Sequence, residues 1–197
     1  MAEAAHPWLR RIVESAPLHA LRDRLARHGQ AVADGSRGSS TALLAGALAV
    51  QTRQPVVLVV AHLDEADDAL EDLGLFSEAG YALTCERFGA LEVLPGESGL
   101  NLELLAERLG VVGRVAEGAT PDVLVAPVQA LMQAVPEPGA IGQFAIELSE
   151  GGASWPPEKL ASWLGNAGYT RQDAVEQPGD FAIRGGIVDI YPPAGQT

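Results

Sequence analysis

Apolar residues recur with two different periods in the first two thirds of the chain. Leucines three or four positions apart, as at Leu18, Leu21 and Leu25, indicate an amphipathic helix. Continuous apolar runs rich in valine, at 55–60 and 122–126, are typical of parallel strands buried inside a sheet. Strands that alternate with helices predict a mainly parallel α/β sheet. The full pattern predicts helices at 17–28, 41–52, 63–76, 101–116 and 128–134, with further short strands at 31–33, 81–85 and 91–94.

The composition changes at Pro136-Glu-Pro-Gly139, where two prolines and a glycine indicate a linker. Beyond the linker, the pattern predicts a small α+β domain with one helix and three strands. We therefore expect an α/β domain over 1–135 and a smaller α+β domain over 136–197, which we expect to be truncated. In the smaller domain the helix is predicted at 157–166 and the strands at 143–148, 169–175 and 181–191.

A turn of small residues begins at Gly35 and includes Gly38. A strand, a glycine turn and the start of a helix together form a phosphate-binding loop, because backbone N–H groups then converge on one anion. A working loop of the form G-x-x-x-x-G-K-[ST] has its second glycine, its lysine and its metal-binding hydroxyl where this chain has Ser40, Thr41 and Ala42. We expect a structural turn that binds no nucleotide. Weak anion binding through the backbone is the open alternative.

The overall charge limits the classes of partner. A formal net charge of −13 argues against direct binding of nucleic acid, because neutralising phosphates requires a basic surface. The apolar runs are shorter than the ~20 residues that span a bilayer. We therefore expect a cytoplasmic protein that binds neither nucleic acid nor a membrane by itself.

Residues suited to catalysis or metal binding are sparse. The four histidines are scattered, without a second ligand at a recognised spacing, and no serine lies in a G-x-S-x-G motif. Cys85 is the one cysteine, and no cation next to it in sequence would activate the thiol. The sequence therefore predicts no catalytic residue, no metal site and no cofactor.

Two arginines of the smaller domain are candidates for partner binding. Arg184 precedes a pair of glycines on a predicted strand, and Arg171 lies on the strand before it. A guanidinium group offers a planar fork of donors that fits a carboxylate. If the two strands pair across the turn at Pro178-Gly179, both arginines come to one face of the sheet. From the residues alone, an interface and a pair of solvated strand arginines are equally supported.

The sequence around these arginines resembles a known family. Tyr169-Thr-Arg171, followed by Gly179-Asp-Phe-Ala-Ile-Arg-Gly-Gly-Ile-Val-Asp-Ile-Tyr-Pro192, is similar to the signature shared by UvrB and the N-terminal module of bacterial transcription-repair coupling factors (Mfd). Segments 55–76, 88–95 and 122–131 resemble the same family in the same order. The substituted glycine turn favours the coupling factors, because UvrB would have an intact nucleotide loop.

The resemblance implies a division of labour between the two domains. The first would be a helicase-like remnant with a degenerate phosphate-binding loop, and the second would recruit the damage-recognition protein UvrA. Arg171 and Arg184 match family positions that help to bind UvrA. The chain would be a non-catalytic fragment of a longer ATP-dependent DNA translocase, and its arginine face could also dock on the motor domain of that parent protein in an autoinhibited state.

Two further expectations depend on the same resemblance. Phe181, Ile187 and Tyr191 are expected in the core of the smaller domain rather than at its interface. The alternative to the adaptor is a UvrB-like, ATP-dependent excision-repair helicase domain, in which the altered loop still holds nucleotide through its backbone.

Overall fold

The computed structural model describes residues 6–91, 101–137, 139–140, 146, 148 and 155–192. The chain divides into two compact units. The first unit comprises Met1–Ala90 and Glu117–Ala134, and the second comprises Leu91–Ala116 and Val135–Thr197. Residues 91–116 thus fall in the second unit, whereas the sequence placed them in the first domain. The limits 1–135 and 136–197 stay a prediction.

Helices and strands alternate along most of the described chain. In chain order they are α1 (Pro7–Val13), α2 (Ala16–His28), α3 (Ser39–Thr52), β1 (Val56–Val60), α4 (Leu63–Glu78), β2 (Cys85–Arg87), α5 (Leu102–Ala116), β3 (Val123–Pro127), α6 (Val128–Met132), α7 (Pro157–Asn166), β4 (Thr170–Arg171), β5 (Asp180–Arg184) and β6 (Ile187–Ile190).

The predicted helices are confirmed, with ends that differ by a few residues. In helix α2 the Ser15 hydroxyl accepts a hydrogen bond from the Leu18 amide at 3.4 Å, and Gly29 ends the helix at φ 69°. No helix in the part of the chain that the structure describes is long and apolar enough to cross a membrane.

The first unit contains a parallel three-stranded sheet, which confirms the predicted α/β class. The strand order is β1-β3-β2, so β3 lies in the middle, and its Val123 and Val125 are fully buried. The run at 55–60 was predicted as an interior strand covered on both faces, and this prediction is wrong. Among the described residues β1 pairs only with β3, and Val57 and Val59 are about half exposed.

The strand predicted at 31–33 is also wrong, because these residues form no strand and Val32 is 83% exposed. The segment has one large apolar side chain, so burial could not compensate for the entropy lost on ordering it in a sheet. The strand predicted at 81–85 is displaced and forms at Cys85–Arg87. The prediction at 91–94 lies outside the described residues apart from Leu91.

Helices α3 and α4 pack closely in the core of the first unit. A Cβ atom built on Gly46 of α3 would lie 2.5 Å from Cε2 of Phe76, which is fully buried in α4. Only glycine permits this approach, because no side-chain carbon fits between the helix and the ring. The contact fixes α3, and therefore the glycine turn that precedes it, against the rest of the unit.

The second unit has a mixed sheet of order β4-β5-β6 beside helix α7. Strands β4 and β5 are parallel, whereas β5 and β6 form an antiparallel hairpin. Leu160 and Leu164 of α7 pack with Phe181 of β5 to form the core of this unit. The helix predicted at 157–166 is confirmed, and the strand predicted at 143–148 falls mostly outside the described residues.

A glycine pair accounts for one wrong prediction in the second unit. The sequence predicted a single strand at 181–191, but Gly185 and Gly186 have φ values of 56° and 92° and turn the chain between β5 and β6. Positive φ at both central positions is what a two-residue hairpin with a type I′ turn requires. The strand predicted at 169–175 is likewise reduced to Thr170–Arg171, and the residues after it form a loop.

Candidate functional site

The two faces of β5 have different environments. Side chains alternate across a strand, so Phe181 and Ile183 lie on the face that packs with helix α7. Asp180, Ala182 and Arg184 lie on the opposite face. The candidate site is built on this second face, where the segment 172–178 connects β4 to β5; we call this segment the β4–β5 loop.

Arg184 holds the first part of the β4–β5 loop. Its Nε donates a hydrogen bond to the backbone carbonyl oxygen of Asp173 at 3.0 Å, and its Nη2 donates to the same oxygen. The side chain is exposed, and a guanidinium group carries five N–H donors. Arg184 therefore keeps donors on Nη1 and Nη2 for a partner while it is fixed in place by the loop.

Asp180 holds the last part of the same loop. Its Oδ2 accepts hydrogen bonds from the Gln177 amide at 3.0 Å and from the Glu176 amide at 3.3 Å. Asp180 is only 9% exposed, and a buried carboxylate is tolerated because such charge-assisted bonds replace water. The loop is thus fixed by two charged side chains of opposite sign from one face of β5.

Arg171 lies elsewhere on the sheet. In the parallel register it stands opposite Phe181, so it belongs to the face of Phe181 and not to that of Arg184. The expectation that both arginines come to one face is therefore wrong, because the register puts Arg171 in phase with Phe181 and out of phase with Arg184. The Arg171 side chain is exposed and forms no hydrogen bond or ion pair with any residue that the structure describes.

The three residues expected in the core have different positions. Phe181 is 3% exposed, which confirms the expectation, but Ile187 is 66% exposed and Tyr191 is 43% exposed. Ile187 pairs with Arg184 across the hairpin, so the two side chains project from the same face of the sheet. The sequence analysis missed this apolar neighbour and the β4–β5 loop, although Arg184-Gly-Gly-Ile187 carried the signal of a tight hairpin.

The glycine turn of the first unit is closed by its own hydroxyl groups. The side chains of Ser36 and Thr41 are hydrogen-bonded at 2.7 Å, and the Ser40 hydroxyl both accepts from the Arg37 amide and donates to the Arg37 carbonyl. Gly35 and Gly38 supply the positive φ values of the turn, and Ala42 is buried in α3. The position of the phosphate-binding lysine holds Thr41, whose hydroxyl is used inside the turn.

The single thiol is poorly suited to nucleophilic chemistry. Burial, and then the charge of Asp122, raise the pKa of the Cys85 thiol to about 11. A thiol with this pKa is almost entirely protonated near neutral pH, and the thiolate is the reactive form. Within the described ranges, no group of three or more His, Cys, Asp or Glu residues is arranged to hold a metal ion.

The family model and the individual proteins that match this chain agree with one another. Residues 146–197 match the family described as the UvrB interaction domain. The transcription-repair-coupling factor of Bacillus subtilis (strain 168) is 36% identical over 159 residues, which are 80% of this chain and 13% of that protein. The factor of Mycobacterium bovis (strain ATCC BAA-935 / AF2122/97) is 32% identical over 162 residues, which are again 80% of this chain and 13% of that protein.

A third relative agrees with these two. The transcription-repair-coupling factor of Myxococcus xanthus is 30% identical over 168 residues, which are 83% of this chain and 14% of that protein. The matched part of the chain thus spans only 13% to 14% of the length of the three relatives.

Proposed function

The chain belongs to the family of transcription-repair-coupling factors, and we propose that it acts without catalysis of its own, as the part that recruits UvrA to stalled transcription. The observation that carries this proposal is the match of residues 146–197 to the UvrB interaction domain. This segment contains both candidate arginines and the β4–β5 loop. The cytoplasm, where transcription and repair occur in bacteria, is the location that the proposal requires.

The arginines support docking through two separated contacts. Arg171 is level with Phe181 on β5, and Arg184 is three residues further along, or about 10 Å at the rise of an extended strand. Because they lie on opposite faces, a single flat patch cannot take both guanidinium groups. We propose that UvrA reaches Arg171 at strand β4 and Arg184 at the hairpin, with Ile187 as an apolar contact beside the second arginine.

We propose that the first unit is a helicase-like scaffold whose phosphate-binding loop has degenerated. Two features support this view: a glycine turn still leads into helix α3, and its Ser36, Ser40 and Thr41 hydroxyls bond within the turn. A second partner belongs to the same proposal, namely the motor domain of a longer parent protein. Occupation of Arg171 and Arg184 by that domain would then compete with UvrA.

A calorimetric titration of the 197-residue chain with purified UvrA tests the proposal. We expect binding by the wild type, and an affinity about tenfold or more lower for Arg171→Ala and for Arg184→Ala, as is typical of interface arginines. Arg24→Ala is the matched control, because Arg24 is an exposed arginine of helix α2 in the first unit. Circular dichroism confirms that each variant folds.

The results of this titration distinguish UvrA recruitment from the alternative function. A folded wild-type chain that does not bind UvrA would contradict the recruitment function. Binding that all three variants retain would leave the function but exclude these two arginines from the interface. The UvrB-like, ATP-dependent alternative requires nucleotide binding, which the thermal measurement described in the Discussion tests.

A further inference from the structure

The β4–β5 loop is fixed before any partner arrives. Its first part is bound through the Asp173 carbonyl to Arg184, and its last part through the Glu176 and Gln177 amides to Asp180. The two anchoring side chains are four residues apart on β5 and therefore lie on one face of it. A loop held at both ends in this way has lost much of its conformational freedom in the free protein.

The two side chains that hold the loop, Asp180 and Arg184, differ in how accessible they are to a partner. Asp180 is 9% exposed and both of its loop bonds are to backbone amides, so little of its side chain is left for a partner to contact. Arg184 is exposed and contributes both to the loop and to the outer surface. The side chains of Gln172, Asp173, Glu176 and Gln177 are exposed along the loop and, with Ala174 and Asp180, line a shallow depression.

The loop also lies between the two candidate arginines along the chain. Arg171 immediately precedes it, and Arg184 binds its first part. A partner that engages both arginines is therefore next to the first part of the loop. Ordering a loop at the moment of binding lowers affinity, whereas a loop that is already ordered avoids that cost.

We propose that the β4–β5 loop is a preordered part of the UvrA-binding surface, and that Asp180 and Arg184 are the residues that position it. This inference rests on the proposed function. The partner surface that fits the loop offers cations and hydrogen-bond donors to Asp173 and Glu176 while offering carboxylates to the arginines. Such alternation of charge would set the orientation of docking as well as its strength.

The buried position of Asp180 makes the test specific. Asp180→Ala removes the acceptor for the Glu176 and Gln177 amides without altering either arginine or any exposed loop side chain. We expect faster hydrogen exchange at these two amides in the free chain, and an affinity for purified UvrA about tenfold lower. Asp180→Asn keeps one acceptor oxygen at the same place, and we expect it to recover most of the protection and of the affinity.

Two further variants complete the design. Glu71→Ala is the matched control, because it removes an exposed carboxylate from helix α4 of the first unit and should change neither readout. Ala174→Gly loosens the exposed middle of the loop without touching an anchor, and we expect a two- to fivefold loss of affinity, about what glycine adds in chain entropy. It serves as the test if Asp180→Ala does not fold.

Each result supports or overturns the inference. If Asp180→Ala loosens the loop but binds UvrA as the wild type does, the loop is not part of the surface. If Asp180→Ala leaves the exchange of the two amides unchanged, Asp180 does not position the loop. If the wild-type chain itself does not bind UvrA, the proposed function fails first, which is a different result from binding that is insensitive to the loop.

Discussion

The glycine turn of the first unit and the β4–β5 loop of the second unit are both fixed by side-chain hydrogen bonds, but the two sets of bonds leave different groups for a partner. In the glycine turn, the short hydroxyl groups of Ser36, Ser40 and Thr41 are used within the turn itself. At the β4–β5 loop, Arg184 donates two hydrogen bonds to the Asp173 carbonyl and keeps further N–H donors at the surface. The comparison is consistent with the proposal that the second unit docks a partner and that the glycine turn of the first unit does not.

The largest expected effect tests the packing role of the first unit. Gly46→Val places carbon atoms where Cε2 of Phe76 already lies, and we expect a loss of about 3 kcal/mol in the free energy of unfolding, typical of a severe overpacking change. Gly74→Ala is the control, because Gly74 lies in helix α4 with open space around it. This change should raise the free energy of unfolding by about 0.5 to 1 kcal/mol. Denaturant unfolding measures both. Equal stability of the two variants would contradict the close packing of α3 on α4.

The next effect sharpens the docking role of the second unit. Arg184→Glu reverses the charge beside Ile187 and removes the bonds to the Asp173 carbonyl, so we expect about hundredfold weaker binding to UvrA. Thr41→Ala in the glycine turn should leave the affinity unchanged. Surface plasmon resonance of both variants compares the two regions directly. The assignment of docking to the second unit fails if Thr41→Ala weakens binding more than Arg184→Glu does.

A smaller effect concerns the thiol of the first unit. Because burial and Asp122 raise the pKa of Cys85 to about 11, its thiolate should be scarce at pH 8. We expect alkylation by iodoacetamide about tenfold slower than that of an unperturbed thiol, since higher intrinsic nucleophilicity offsets part of the lower thiolate fraction. The rate, followed by mass spectrometry, should rise as the pH approaches 11. A fast reaction with a midpoint below pH 9 would contradict the burial of this side chain.

The smallest expected effect is the thermal response to nucleotide. A ligand that binds the folded state raises the apparent stability, and Thr41 stands where a lysine would bind the outer phosphates. We therefore expect millimolar ATP with Mg²⁺ to leave the unfolding temperature unchanged. A rise in the unfolding temperature that depends on nucleotide concentration would instead favour the UvrB-like, ATP-dependent alternative. It would also show that the glycine turn of the first unit is available to a ligand.

The sequence predicted most helices and the parallel class of the first sheet, because these depend on local signals. Regular leucine spacing was enough to predict helix α2, and the structure adds that Ser15 caps its start and Gly29 ends it. Strand order was harder, since the valine run of β1 and that of β3 look alike in sequence. Only the pairing shows that β3 is central and that Val57 and Val59 of β1 are half exposed.

The candidate site was predicted less completely than the fold. Arg171 and Arg184 were identified from a family signature, but whether they share a face depends on the pairing register of β4 and β5, which no local pattern determines. The bond from Arg184 to Asp173 joins residues eleven positions apart through a backbone carbonyl, and every residue type carries that carbonyl. The structure was therefore needed to find the loop.

Hydrogen exchange of the chain with and without purified UvrA tests most directly the claim that docking belongs to the second unit. We predict that UvrA protects the amides of residues 170–191, including the β4–β5 loop and the hairpin, and that it leaves the glycine turn at residues 35–41 unchanged. Protection at the glycine turn without protection of residues 170–191 would contradict this account.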